Sequence, residues 1–182
     1  MAKMLSDQGK KSLDLIFTRA AKTNLVRDPN HQIKIEILPE ARQMEALEEN
    51  LVVLTISSYT FRLIVMFHVN SSGGAATYYS RGTEFASLIE VFGEMVNQCC
   101  GGMNRDLGKH FPHMGMSTPS LLNKRCLPFL RELNPTDVSR YRISINDSFS
   151  MHVSLCFCAF APIDFRIDEH AAEEALGELE LF

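Results

Sequence analysis

The sequence predicts an α+β fold in which two long helices pack on a largely antiparallel sheet. Three observations carry this expectation. Two segments, one near the start and one near the middle, repeat apolar residues at helical spacing. Several others alternate or run apolar at strand spacing, and short turn signals join neighbouring strands, as hairpins require. The element order is helix, strands, helix, strands, with no internal repeat and no linker long enough to divide the chain.

The first helix spans about Ser6 to Leu25, with Leu13, Ile16, Phe17, Ala20 and Ala21 at helical spacing, and Asp28-Pro29-Asn30 breaks the chain after it. Ile33, Ile35 and Ile37 alternate with Gln32, Lys34 and Glu36, the pattern of a half-buried strand. Arg42 to Glu49 reads as a helical turn or a loop. The apolar runs Leu51–Ile56 and Phe61–Val69 flank Ser57-Ser58-Tyr59-Thr60 and predict a hairpin. Ser71-Ser72-Gly73-Gly74 is a loop. Thr83 is a candidate cap for a long helix from about Glu84 to at least Cys100. Pro112 and Pro119 mark an irregular stretch, and Leu121 to Leu133 holds a short helix or a strand. Tyr141, Ile143 and Ile145 alternate ahead of an Asp147-Ser148 turn. In the strand that follows, Phe149, Met151, Val153, Leu155, Phe157 and Ala159 face one way, and Ser150, His152, Ser154, Cys156 and Cys158 the other. That second set holds too many small groups for a freely solvated face, so a helix or a second subunit is expected against it.

One domain is expected over 1–163, followed at 164–182 by an acidic tail or helix with Ala172, Leu176 and Leu179 at helical spacing. The tail holds seven acidic residues and one arginine, whereas the whole chain of 182 residues carries only −4. That balance argues against nucleic acid or an anionic membrane as the main partner. No run approaches the ~18 apolar residues of a membrane span, and the short stretch Leu13–Phe17, with Asp14 inside it, is no secretory signal. Five cysteines, two of them adjacent, make a poor disulfide framework and suit the cytoplasm.

At about 100° per residue, Phe85, Leu88, Ile89, Phe92, Met95, Val96, Cys99 and Met103 gather on one broad face of the long helix. Measured from Glu90, the opposite side places Glu94 at about 40°, Asn97 at about −20° and Gly101 at about 20°. A polar stripe opposite a core needs no function of its own, and a helix end at Cys100 would explain Gly101 and Gly102 as caps. Close approach of another protein would explain Gly101 equally well.

Glu94-Met95-Val96-Asn97, with Gly101 four residues on and Met116-Ser117-Thr118-Pro119 beyond, resembles the CheC/CheX/FliY family of chemotaxis phosphatases. Their mark is an ExxN motif on an exposed helix followed by a serine–proline segment; a single copy resembles the CheX branch. The match runs from Phe85 to Leu122, and the order of elements extends it loosely to Ala161. The resemblance implies a CheC/CheX-like fold, a homodimer and dephosphorylation of a CheY-like response regulator on its aspartyl phosphate. Asn97 would be catalytic, with Glu94 paired to the regulator's lysine, and Glu90, Gly101 and Pro119 would belong to the partner-binding surface. No cofactor of its own is implied; Mg2+ is expected on the partner's receiver domain. The alternative is a non-catalytic adaptor that binds a receiver domain or flagellar switch component through the same stripe. Two departures stand out: Glu90 occupies a position that is often Asp or Ser, and Asn97 lies closer to Pro119 than is usual.

Other constellations are weaker. Cys99-Cys100, His110 and His113 lack a second paired motif, so no metal site is expected. No cysteine sits in a phosphate-cradling loop, and Cys156 and Cys158 lie too far apart along a strand for easy bridging. Gly73-Gly74 and Gly101-Gly102 match no phosphate-loop motif.

Overall fold

Alternation along the strands sets which side chains meet the helices. In a computed structural model, residues 3–39, 48–81, 84 and 87–168 are described. Helix α1 (Asp7–Asn24) is followed by strands β1 (Ile33–Ile37), β2 (Asn50–Ser57) and β3 (Phe61–Val69), then helices α2 (Gly74–Ser80) and α3 (Leu88–Gly108). Strands β4 (Gly115–Met116) and β5 (Ser120–Asn123), a 3-10 helix (Lys124–Leu133), and strands β6 (Asp137–Ile145) and β7 (Phe149–Ala159) complete the order. The sheet runs β1-β6-β7-β3-β2-β4, with β5 also on β2, and every ladder is antiparallel.

One face of the sheet builds the main core. Leu54 and Ile56 of β2, Leu63, Val65 and Phe67 of β3, Tyr141 and Ile143 of β6, and Val153, Leu155 and Phe157 of β7 pack with both long helices. Leu13, Ile16, Phe17 and Ala21 supply the apolar stripe of α1, and Phe92, Val96, Cys99 and Met103 that of α3. Each large side chain buried this way contributes roughly 1.5–3 kcal/mol. Ser6 caps α1 by accepting a hydrogen bond from the Gly9 amide at 2.8 Å. Asn146 and Asp147, both at positive φ, turn β6 into β7.

The second face of the last strand meets a helix. Leu51, Met66, Cys156 and Cys158 form a smaller core with Cys126, Leu127 and Leu130 of the 3-10 helix. Beside it, buried His68 shares a 2.8 Å hydrogen bond with Ser154 through Nε2. Burial, with Arg140 and His152 nearby, pulls the imidazole down to about 3, so it is neutral near neutral pH.

Several expectations need correction. The N-cap of α3 is Ser87, and Thr83 and Phe85 lie outside the described residues. The α3 helix runs to Gly108, so no helix end at Cys100 explains Gly101 and Gly102. The stretch Leu121–Leu133 is both strand and helix, since Asn123 ends β5 and caps the 3-10 helix. Helix α2 was not expected at all. Phe165 is buried, Ser12 donates to its carbonyl at 3.0 Å, and Arg19 donates to that of Asp168 at 2.8 Å. Packing on α1 therefore continues to Asp168, past the boundary expected at 163. Ala172, Leu176 and Leu179 of the tail and residues 42–47 lie outside the described residues. No helix among the described residues is long and apolar enough to cross a membrane.

Candidate functional site on the outer face of α3

The outer stripe exists because α3 starts where it does. Ser87 accepts a hydrogen bond from the Glu90 amide, and the Glu90 carboxylate accepts one from the Ser87 amide at 2.8 Å. This reciprocal cap fixes the first turn and holds one oxygen of Glu90 at the helix end. One turn later Glu94 is exposed, and its Oε1 accepts a 2.7 Å hydrogen bond from Gln98 Nε2. Asn97, partly exposed, rises about 4.5 Å further along the axis. Gly101 follows at the next turn.

The two adjacent glycines have different surroundings. A Cβ on Gly102 would stand 3.5 Å from Ala20 Cβ and 3.4 Å from Asn24 Nδ2, in ordinary contact with α1, so only a larger side chain would press on that helix. A Cβ on Gly101 would meet only Arg105 Nη1, at 3.8 Å, which is ordinary contact. Among the described residues nothing requires a glycine there, although one inside a helix costs about 0.5–1 kcal/mol relative to alanine.

Helix α3 lies beside the edge of the sheet, against β2, β4 and β5. Ile56 pairs with Met116 and Val53 with Ser120, so two residues of β2 face the three residues Ser117, Thr118 and Pro119. This is a β-bulge. Ser117 anchors it, since its amide donates to the Thr55 carbonyl at 2.9 Å and its Oγ accepts from the Thr55 amide at 3.0 Å. Glu90, Glu94, Asn97 and Gly101 thus share one stripe, and Pro119 stands apart from them on the neighbouring edge. Gln98, Arg105 and the Ser117 anchor were not foreseen. The Ser87-x-x-Glu90 pattern was present in the sequence as a capping signal.

The cysteines offer no second chemistry here. Cys99 and Cys100 are buried; burial raises both thiols, Cys100 to about 12, and all five cysteines are free. His110 packs against Phe165 and His113 against Tyr59. Among the described residues, no group of three or more His, Cys, Asp or Glu could hold a metal ion.

No protein-family model and no curated protein matches the chain. Solved structures do. The middle domain of FliM from Vibrio alginolyticus superposes with a TM-score of 0.57 at 8% identity, over 84% of this chain and 94% of that one. A CheC-like superfamily protein from a Shewanella species gives 0.51 at 11% identity, over 85% and 99%. A chemotaxis protein CheX from Desulfovibrio desulfuricans gives 0.50 at 12%, over 81% and 97%. With its antiparallel sheet and two long helices, the chain has the CheC/CheX-like α+β fold, which FliM middle domains share.

Proposed function

We propose that the chain is a phosphatase of aspartyl phosphate on a CheY-like receiver domain, with Asn97 as the catalytic residue. The observation that carries this reading is the α3 stripe: Glu94 and Asn97 one turn apart and facing outward, followed by a glycine that nothing among the described residues requires. Glutamate and asparagine make a poor acid–base pair, because an amide neither gives nor takes protons usefully. An acyl phosphate is already reactive, and the receiver supplies its own Mg2+ and lysine. What remains is to hold a water in line with phosphorus. The Asn97 amide has a donor and an acceptor for that water. Glu94 pairs with the receiver's lysine and sets the depth of insertion. Gly101 admits the receiver's surface, Glu90 adds negative charge at the start of the stripe, and Pro119 shapes the flanking edge. The chain works in the cytoplasm as a homodimer, which light scattering in solution tests.

A receiver domain from the same cell, charged with a small-molecule phosphodonor, should release phosphate faster with the chain present. Asn97→Ala should abolish that acceleration and leave the fold intact. Equal rates with and without the wild-type chain would sink the enzyme reading. A second reading, the non-catalytic adaptor, draws on the same surface, because the open space at Gly101 serves docking whether or not turnover follows. Capture of the receiver without phosphate release would favour it.

A further inference from the structure

The α3 stripe is ordered in charge. Glu90 and Glu94 lie in its first half, and Arg105 lies in its second, at about 60° on the scale that puts Glu94 at about 40°. Arg105 is exposed and has neither an ion pair nor a hydrogen bond among the described residues. Its helical neighbours offer no acid: Gly101 and Gly102 precede it by one turn, and Gly108 and Lys109 follow. The adjacent Asp106 is taken by Lys109 at 2.6 Å. The guanidinium instead folds back over the glycines, with Nη1 3.8 Å from a Cβ at 101 and Nη2 3.8 Å from one at 102. A position near the C-terminus of a helix favours any cation. It does not call for glycines one turn earlier, and among the described residues a Cβ at 101 or 102 would make only ordinary contacts.

We infer that Arg105 is a specificity-determining residue of the docking face, and that it binds a carboxylate which the receiver domain places over Gly101. The inference rests on the reading of α3 as the receiver-binding helix. A planar guanidinium lying on bare backbone presents its donors as a fork matched to a carboxylate. With Glu94 taking a cation at one end and Arg105 an anion at the other, the receiver can dock in one direction along α3 only. Asn97 lies between the two contacts.

The test uses the full chain and a receiver domain from the same cell, with turnover measured by phosphate release and affinity measured on the beryllium fluoride-activated receiver. Arg105→Gln should raise KM and Kd about tenfold, the scale of one charge-assisted hydrogen bond, with kcat held within about twofold. The dependence of Kd on salt should flatten as well. Arg105→Lys, which keeps the charge and loses the fork, should fall between. Wild-type KM, Kd and salt dependence in Arg105→Gln would overturn the inference and leave the phosphatase reading standing. Binding that weakens in Arg105→Gln while no variant turns over would support it and overturn the enzyme reading instead. A wild-type chain that binds no receiver domain would overturn both.

Discussion

The two long helices lie on the same face of the sheet, yet their outward sides differ. Several residues on the polar side of α1 are engaged from within the chain. Asp7 pairs with Lys3 at 2.7 Å, Lys10 with Asp137, and Ser12 and Arg19 donate to carbonyls of the segment that runs past the last strand. On the α3 stripe, the Glu94 carboxylate meets Gln98 of the same helix, and Arg105 has no partner among the described residues. The glycines repeat the contrast in miniature, since a Cβ on Gly102 would face α1, whereas one on Gly101 would meet only Arg105 among the described residues. An outward polar residue with a partner in its own chain is explained by folding, and Arg105 has none among the described residues.

The sharpest way to break this contrast is Asn97→Ala. Phosphate release from the receiver should fall to the rate of the receiver alone, a loss of at least about 10²-fold in kcat, with affinity and melting temperature unchanged. A parallel change on α1, Lys11→Ala, should leave kcat at its wild-type value. Acid reaches the interior through His68. Burial holds the His68 imidazole down to about 3 in the fold, whereas an exposed histidine takes its proton near 6.5. The unfolded chain therefore binds the proton first as pH falls, so this contribution to stability is intact above 6.5 and lost progressively below it. The loss should reach about 3 kcal/mol near pH 4, at about 1.4 kcal/mol per pH unit. Thermal melts across that range check it, and His68→Gln should flatten the acid limb.

Smaller effects separate the glycines and the cap. Gly102→Leu would force a side chain against Ala20 and Asn24 and should cost about 1–3 kcal/mol in a denaturant melt. Gly101→Ala should stabilise the helix by about 0.5–1 kcal/mol while weakening receiver binding. If Gly101→Ala leaves binding unchanged, the outward reading of that glycine fails. Glu90→Gln keeps a side chain able to close the capping box but removes its charge. Unchanged stability with a raised KM would assign Glu90 to the docking surface, and an unchanged KM would leave it as a cap alone.

Much of the fold was legible because its signals are local and periodic. The bounds of α1, the β2–β3 hairpin, both faces of β7 and the outward stripe of α3 follow from spacing alone. Helix α2 is seven residues long, too short for its periodicity to stand out beside Gly73 and Gly74. The 3-10 helix carries Pro128 inside it, which reads as a break, and its apolar contacts lie on a sheet face distant in sequence. Thr83 was read as the cap, and the reciprocal bonds of Ser87 and Glu90 start α3 four residues later. The different surroundings of Gly101 and Gly102 were not legible, because they depend on where Ala20 and Asn24 of another helix come to rest. Pro119 was visible as a residue, but the bulge that gives it a place is a matter of register with β2.

That bulge has a consequence for how partners can approach. A bare sheet edge invites another strand, whose backbone pairs with little regard to sequence. Between β4 and β5 the edge offers Pro119, which has no N–H to donate, on a stretch whose register is already broken. The edge is therefore a poor template for an added strand at the bulge itself. In the proposed complex, recognition on this side falls to the side chains of the helix, where a single amide or charge can decide which partner is accepted.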